Sequence, residues 1–283
     1  MDPLPVKHYI SVMNAVKFFI ISNRFNLMIL FEKIDAVGKI TLNRPEKYNS
    51  FVREMALLLQ EKLAECAKND SIRCVLITGA GKAFSAGQDL EEATDSNSPE
   101  IEQIVREHYN PIIKLFREIE KPVIAAVNGV AAGAGANLAL ACDIVVASKS
   151  AKFIQAFSKI GLIPDSGGTY FLPRLIGIPK ATAIMMTGES VSAEKAEKMG
   201  MIYAVYEDAE FESKSLQLAK SVSEMPTKGL GYTKRLLNLS LNNSLEDQLD
   251  LEAVTQALSA KSEDHKEGIQ AFLEKRNPIF TGK

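Results

Sequence analysis

Tryptophan is absent from this chain of 283 residues, and histidine and cysteine occur three times each. Cys66, Cys74 and Cys142 are too few and too far apart for a disulfide framework or a zinc finger, and they suit a reducing compartment. His8, His108 and His265 leave little material for a histidine-rich centre, so no metal site is expected. An excess of either charge is missing too. Thirty-three Lys and Arg stand against 35 Asp and Glu, a formal charge of -2, so no global field draws the chain to nucleic acid or anionic lipid, and no basic-aromatic stripe suggests either partner. The longest apolar run near the start, Phe18-Phe19-Ile20-Ile21, falls far below the ~20 residues of a membrane span. No small-residue cleavage signal follows it. These absences leave a cytoplasmic globular protein, and the 46% hydrophobic and 24% charged fractions agree with that class.

Residues 1–27 stand apart. Asp2 is their only acid, against Lys7, Lys17 and Arg24, and self-consistent patterning begins near Leu30. They read as an atypical extension, followed by a core over 28–205 and a helical oligomerisation region over 206–283. In the core, Leu30–Asp35 and Lys39–Leu42 read as a hairpin turning at Val37-Gly38. Met55, Leu58, Leu59, Leu63 and Ala67 recur at helical spacing, and Ile101–Ile119 is a second helix. Cys74–Thr78, Val123–Val127 and Asp143–Ala147 are wholly apolar strands, as expected where helices cover both faces of a largely parallel sheet. Ala131–Ala141 reads as a tightly packed small-residue helix. From Ala181 onward six helical patterns follow, separated by Gly, Pro, Ser or Asn, and Ser244 is placed to cap the one that starts at Leu245. Their apolar stripes exceed what a helical hairpin can bury, which predicts subunit packing.

Two glycine-rich stretches follow apolar strands: Ser85-Ala86-Gly87-Gln88-Asp89, and Gly133-Ala134-Gly135-Ala136-Asn137. Ligands of open α/β sheets bind beyond the carboxyl ends of strands. N–H groups converging from two such loops can hold an oxygen that gains negative charge. The alternative is that these glycines and alanines only permit close helix–sheet packing. Neither stretch has dinucleotide-fold or P-loop spacing, and no G-x-S-x-G surrounds Ser85 or Ser166. A third stretch, Gly161 to Thr169, carries Asp165 after a proline, with Phe153, Phe157, Ile160 and Leu162 near in sequence. Asp165 is either a desolvated proton carrier or the cap of a helix starting at Gly167 or Gly168. His108 reads as a surface or packing residue rather than a catalyst, Tyr170 and Phe171 as core, and Arg174 as a partner for a carboxylate or a neighbouring subunit.

From about residue 30 the chain resembles the crotonase (enoyl-CoA hydratase/isomerase) superfamily. The resemblance rests on Asn43-Arg44-Pro45, Phe84 to Leu90, Val127 to Gly135, Cys142-Asp143-Ile144 and Gly161 to Thr169, in order and at family spacing. It implies an α/β fold with a spiral ββα core and a C-terminal helical trimerisation region, assembled as a homotrimer or dimer of trimers. The substrate implied is an acyl-CoA thioester, its coenzyme A being part of the substrate, so no separate cofactor is expected. Catalytic roles carried over are those of the main-chain N–H groups of Gln88 and Ala134, which would stabilise a thioester enolate, and of the Asp165 carboxylate. Lys47, Ala86, Asp89, Leu90 and Gly133, with Phe280 and Lys283 from a neighbouring subunit, are the implied coenzyme A contacts.

The departures from the family pattern select the reaction. Asn137 and Phe157 stand where a hydratase of this family carries two glutamates, so the pair that adds water is missing. A dehalogenase would need a tryptophan, and there is none. Within the superfamily the likeness is to isomerases of phenylacetate catabolism, carried by Gly129–Leu140, Ala156–Asp165, Gln248–Glu252 and Glu267–Lys283. It implies conversion of a ring-epoxide CoA ester to an oxepin-CoA, a 3,4- to 2,3-enoyl-CoA double-bond shift, and functional association with other phenylacetate-pathway enzymes. The alternatives are a Δ3,Δ2-enoyl-CoA isomerase of fatty acid oxidation, an enoyl-CoA hydratase, or a member that binds acyl-CoA without catalysis.

Overall fold

The structure is a computed structural model, and it describes residues 28–96 and 98–283. The expected extension, residues 1–27, lies outside the described residues. Among the described residues the first strands are β1 (Ile29–Ile34) and β2 (Val37–Leu42), an antiparallel hairpin. Its turn falls on Asp35-Ala36, not on Val37-Gly38. Asp35 takes the left-handed conformation (φ 54°), which Asp tolerates better than most residues, so no glycine is needed there. Gly38 is instead inside β2, where a Cβ would come to 3.0 Å from Cys66 Sγ on the covering helix. That glycine serves close packing.

The helix α1 (Arg53–Lys68) leads to β3 (Cys74–Gly79) and the short β4 (Ala83–Ser85). Next come α2 (Leu90–Ala93), α3 (Ile101–Ile104), a π-helical turn over Val105–Tyr109, and α4 (Asn110–Glu118). Then follow β5 (Val123–Val127), β6 (Val130–Ala132), α5 (Ala134–Leu140), β7 (Ile144–Ser148) and β8 (Lys152–Ile154). A 3-10 turn (Ala156–Ile160) precedes α6 (Gly168–Ile176) and α7 (Ile178–Thr187), and β9 (Ser190–Ser192), α8 (Ala193–Lys198) and β10 (Ala204–Tyr206) complete the core.

Strands β1-β2-β3-β5-β7-β10 form one sheet, parallel except for β1. A second sheet, β4-β6-β8-β9, is parallel except for β9. The chain therefore winds as a spiral, each turn adding a long strand to the first sheet, a short one to the second, and then a helix. The second sheet is what the sequence reading missed: its strands have three residues each, too short for period-two alternation to register. The segment expected as a helix from Ala131 contains β6 before its helix starts at Ala134.

Alternate residues of each central strand enter different cores. Val75, Ile77, Ala125 and Val127 face the interior with Leu59, Leu63 and Phe153. Cys74, Leu76, Ile124, Ala126 and Val146 face Phe211 and Ala219 of α9 (Phe211–Ser223). Burial on both faces accounts for the continuous apolar runs. Three more helices follow: α10 (Thr227–Ser240), α11 (Leu245–Ser259) and α12 (Glu263–Glu274). Ser244 caps α11 as expected, accepting from Asp247 N at 3.1 Å and donating to Asp247 Oδ2 at 2.7 Å. Leu237, Leu245, Leu249, Val254, Phe272 and Leu273 remain exposed in the single chain. Among the described residues no helix is long and apolar enough to cross a membrane.

Candidate active site

Two loops meet where the short strands of the second sheet end. After β4, Phe51 N–H donates to Gly87 O (2.7 Å) and Asp89 N–H to Phe51 O (2.9 Å), a parallel bridge around Gln88. In such a bridge the flanking residues make the bonds, so the N–H of Gln88 itself is turned away from Phe51. After β6, Gly133 (φ 53°, ψ −128°) adopts a conformation open essentially to glycine alone, and α5 starts at Ala134. The first N–H of a helix has no acceptor within the helix, so that of Ala134 is free to point outward. The loops touch: a Cβ on Gly87 (φ 89°) would lie 3.0 Å from Ala132 O and 3.2 Å from Ala134 N. Gly87 and Gly133 thus let two orphan donors converge. Gly135 fits the packing alternative instead, because a Cβ there would collide with Ser85 O.

Asp165 is half-buried on the loop that enters α6. Burial pushes its carboxyl above the ordinary carboxylate range, opposed by the Ser166 hydroxyl, which donates to Asp165 Oδ1 at 2.9 Å. The capping alternative fails: Gly167 is the N-cap of α6, with no side-chain cap. What Asp165 gives the helix is its carbonyl, which accepts from Gly168 N at 2.8 Å. That carbonyl also accepts from Asn137 Nδ2 at 2.9 Å, and Asn137 Oδ1 accepts from Gln155 Nε2 at 2.7 Å. Asn137 therefore fixes the acid-bearing loop. Phe157 is buried, its ring 3.8 Å from where a Cβ on Gly133 would sit, an apolar wall beside Ala134. Of the other apolar residues expected around Asp165, Phe153 is buried but Ile160 and Leu162 are exposed.

Several residues lie elsewhere than expected, or were not anticipated. Tyr170 is exposed rather than in the core, and Arg174 stacks over its ring at 3.7 Å. His108 is buried, its Nε2 3.1 Å from Arg53 Nη1. Tyr109 is buried and donates its phenol O–H to Gln88 Oε1 at 2.8 Å. Burial, followed by the charges of Asp165, Glu92 and Asp89, pushes that phenol well above its ordinary pKa. Neither Tyr109 nor Gln155 carries a local sequence signal, because each meets its partner only through the fold.

The implied coenzyme A contacts separate into two groups. Ala86 N–H donates to Tyr48 O at 2.9 Å, which brings Lys47, Ala86, Asp89 and Leu90 onto one shelf, with Lys47, Ala86 and Leu90 exposed. Lys47 pairs with Glu91 at 2.8 Å. The Asp89 side chain is buried beneath the shelf: it accepts from Glu91 N at 3.0 Å and Glu92 N at 3.4 Å, and pairs with Arg44 at 3.0 Å. Its burial favours the neutral acid, but Arg44 and these N–H groups outweigh that and hold its pKa below the ordinary value. Phe280 and Lys283 are not brought to this shelf within one chain. Phe280 O accepts from Arg73 at 2.7 Å and Lys283 O from Asp264 N at 3.1 Å. Arg73 precedes β3, whereas the shelf follows the other end of that strand.

A spiral of paired long and short strands, with two glycine-shaped loops in contact and a half-buried acid on a third loop tied to the helix that follows one of them, defines the class. The enoyl-CoA hydratase/isomerase family model matches residues 32–283, and the chain belongs to that family. It is therefore a crotonase-fold enzyme acting on CoA thioesters, as an isomerase or a hydratase. A 1,2-epoxyphenylacetyl-CoA isomerase of Escherichia coli is 49% identical over 250 residues, covering 87% of this chain and 95% of the relative. A trans-2-decenoyl-[acyl-carrier-protein] isomerase of Streptococcus mutans is 36% identical over 258 residues, covering 90% and 98%. Among solved structures, an enoyl-CoA hydratase from Bacillus anthracis superposes with a TM-score of 0.84 at 33% identity, covering 90% of this chain and all of the other.

Proposed function

We propose that this enzyme is an acyl-CoA isomerase that converts 2-(1,2-epoxy-1,2-dihydrophenyl)acetyl-CoA to oxepin-CoA and shifts 3,4-enoyl-CoA double bonds to the 2,3 position. The thioester oxygen accepts hydrogen bonds from Gln88 N–H and Ala134 N–H, which stabilise the charge that develops there. Asp165 removes the Cα proton and returns it two carbons away. In the ring-epoxide ester the C–C bond shared by the epoxide and the six-membered ring opens to give the seven-membered oxepin, and Asp165 moves the Cα proton to a ring carbon as the ring double bond is exchanged for one at Cα. Both reactions are isomerisations, with no atom gained or lost.

The observation that carries this reading is that Asp165 has no carboxylate partner at positions 137 and 157. Asn137 is engaged in holding the Asp165 loop, and Phe157 is an apolar wall, so neither supplies the second carboxylate that water addition needs. Similarity to the E. coli isomerase supports the ring-epoxide substrate. Coenzyme A enters as part of the substrate, its adenosine end on the shelf of Lys47, Ala86 and Leu90. Phe280 and Lys283 reach that end from a neighbouring subunit of a trimer or a dimer of trimers, an assembly that would also cover the exposed leucines of α10 and α11. The ring epoxide also places the enzyme beside other phenylacetate-pathway enzymes.

A second reading, supported by the S. mutans relative, is a linear Δ3,Δ2-enoyl-CoA isomerase using the same groups. Turnover of the ring-epoxide ester against linear 3-enoyl-CoAs separates the two, with the epoxide ester expected to have the higher kcat/KM. Rapid hydration of crotonyl-CoA would refute both.

A further inference from the structure

The mechanism above uses the main-chain N–H of Gln88 and leaves its side chain without a task. That side chain is nevertheless held at both ends. Its Oε1 accepts from the Tyr109 phenol at 2.8 Å, and its Nε2 donates to Glu92 Oε2 at 2.9 Å. Glu92 is anchored in turn, its Oε1 accepting at 2.9 Å from the N–H of Arg53, the first residue of α1. A carboxamide engaged at both its acceptor and its donor end cannot rotate without breaking a bond.

Tyr109 is equally fixed. It is 1% exposed, and its ring meets Phe51 edge-on with centroids 5.9 Å apart and planes at 63°. The main chain of Phe51 is the segment bridged to both sides of Gln88. A closed circuit results: Tyr109 hydroxyl to Gln88 side chain, Gln88 to Phe51 through the main-chain bridge, and Phe51 ring back to Tyr109 ring. Tyr109 is the last residue of the π-helical turn at Val105–Tyr109, where two consecutive residues, His108 and Tyr109, both turn inward. Such one-turn widenings recur at functional sites.

We propose that Tyr109 is a positioning residue for the isomerisation: through the Gln88 carboxamide it fixes the direction in which the Gln88 N–H meets the thioester oxygen. The inference rests on the reading of Gln88 N–H as an oxyanion donor. The hydroxyl donates to the glutamine and acts through it.

The test uses the full-length enzyme, turnover of a linear 3-enoyl-CoA, and infrared spectroscopy of bound 2-enoyl-CoA labelled with carbon-13 at the carbonyl. In the wild type, binding should lower the carbonyl stretch. Tyr109→Phe keeps the ring and removes the donor. Its kcat should fall about ten- to a hundredfold with KM within about twofold, and the bound stretch should move back toward that of the free ester. Gln88→Ala should reproduce both changes, and adding Tyr109→Phe to it should cost less than about a further twofold. If Tyr109→Phe does not fold, Gln88→Ala decides alone. Wild-type kcat and stretch in either variant would overturn the proposal. So would a fall in kcat with the stretch unchanged, which would mean that Tyr109 acts on Asp165 instead. A wild-type stretch unmoved by binding would refute the oxyanion reading itself, before any variant is made.

Discussion

On one side of the proposed site the groups assigned to the thioester oxygen are the main-chain N–H groups of Gln88 and Ala134, placed by two short parallel strands and by glycines at positive φ. On the other side is a single carboxyl on a loop whose neighbour Ile163 is 81% exposed, tied down by the side chains of Asn137, Gln155 and Ser166. The first half is backbone, so side-chain changes at Gln88 or Ala134 do not remove its donors, although the Gln88 side chain sets the direction of one of them. The second half is one side chain, and in the proposed mechanism its identity selects the reaction. A shared fold can therefore keep enolate stabilisation constant while its acids are exchanged.

The hardest break of this comparison is Asp165→Asn. It should lower kcat by about 10²–10⁴-fold while leaving the binding of a CoA ester nearly unchanged, measured by steady-state kinetics beside calorimetric titration. Activity within a few-fold of wild type would remove Asp165 from the mechanism. Gly87→Ala attacks the other half: a Cβ 3.0 Å from Ala132 O, at φ 89°, must push the two loops apart. An activity loss of about a hundredfold is expected, with stability lowered by about 1–3 kcal/mol in a urea melt.

Asn137→Asp asks whether that position holds the loop or carries protons. It replaces the donor to Asp165 O with an acceptor, so kcat should fall by roughly tenfold and crotonyl-CoA hydration should not appear. Hydration gained by this single change would contradict the loop-holding role. Ser166→Gly is the finest probe, since glycine accepts the left-handed backbone at this position (φ 50°) while the hydroxyl is lost. Without that donor, burial of Asp165 is less opposed and its pKa rises further. In the proposed mechanism Asp165 acts as a base only when ionised. The acid limb of kcat/KM should therefore move to higher pH, and a limb that stays or moves down would show that Ser166 does not favour the ionised acid.

Much of this arrangement was legible in the chain itself. The apolar runs at Cys74, Val123 and Ile144 announced a sheet buried on both faces, and the glycines around Gln88 and Ala134 marked where backbone must approach backbone. Asp165 stood out by its place after Pro164. What stayed hidden depends on contacts across the fold. The strands of the second sheet become strands only by pairing with one another, and Ala131-Ala132 by themselves favour a helix. Tyr109 reaches Gln88 from 21 positions away, and Gln155 reaches Asn137 from 18. No local pattern encodes such meetings. The hairpin turn was misplaced for a simpler cause: Gly38 looked like a bend and serves a helix pressed against it.

Ser85 and Ala131 are register partners on adjacent parallel strands, and Gln88 and Ala134 each follow three residues later. The approach of the two donors is thereby governed by the pairing of these strands and by the close contact of Gly87 with Ala134. It owes nothing to the walls that receive the acyl group. Remodelling those walls for longer, shorter or cyclic chains should retune substrate range without loosening the grip on the carbonyl, which makes this site a natural starting point for directed changes of specificity.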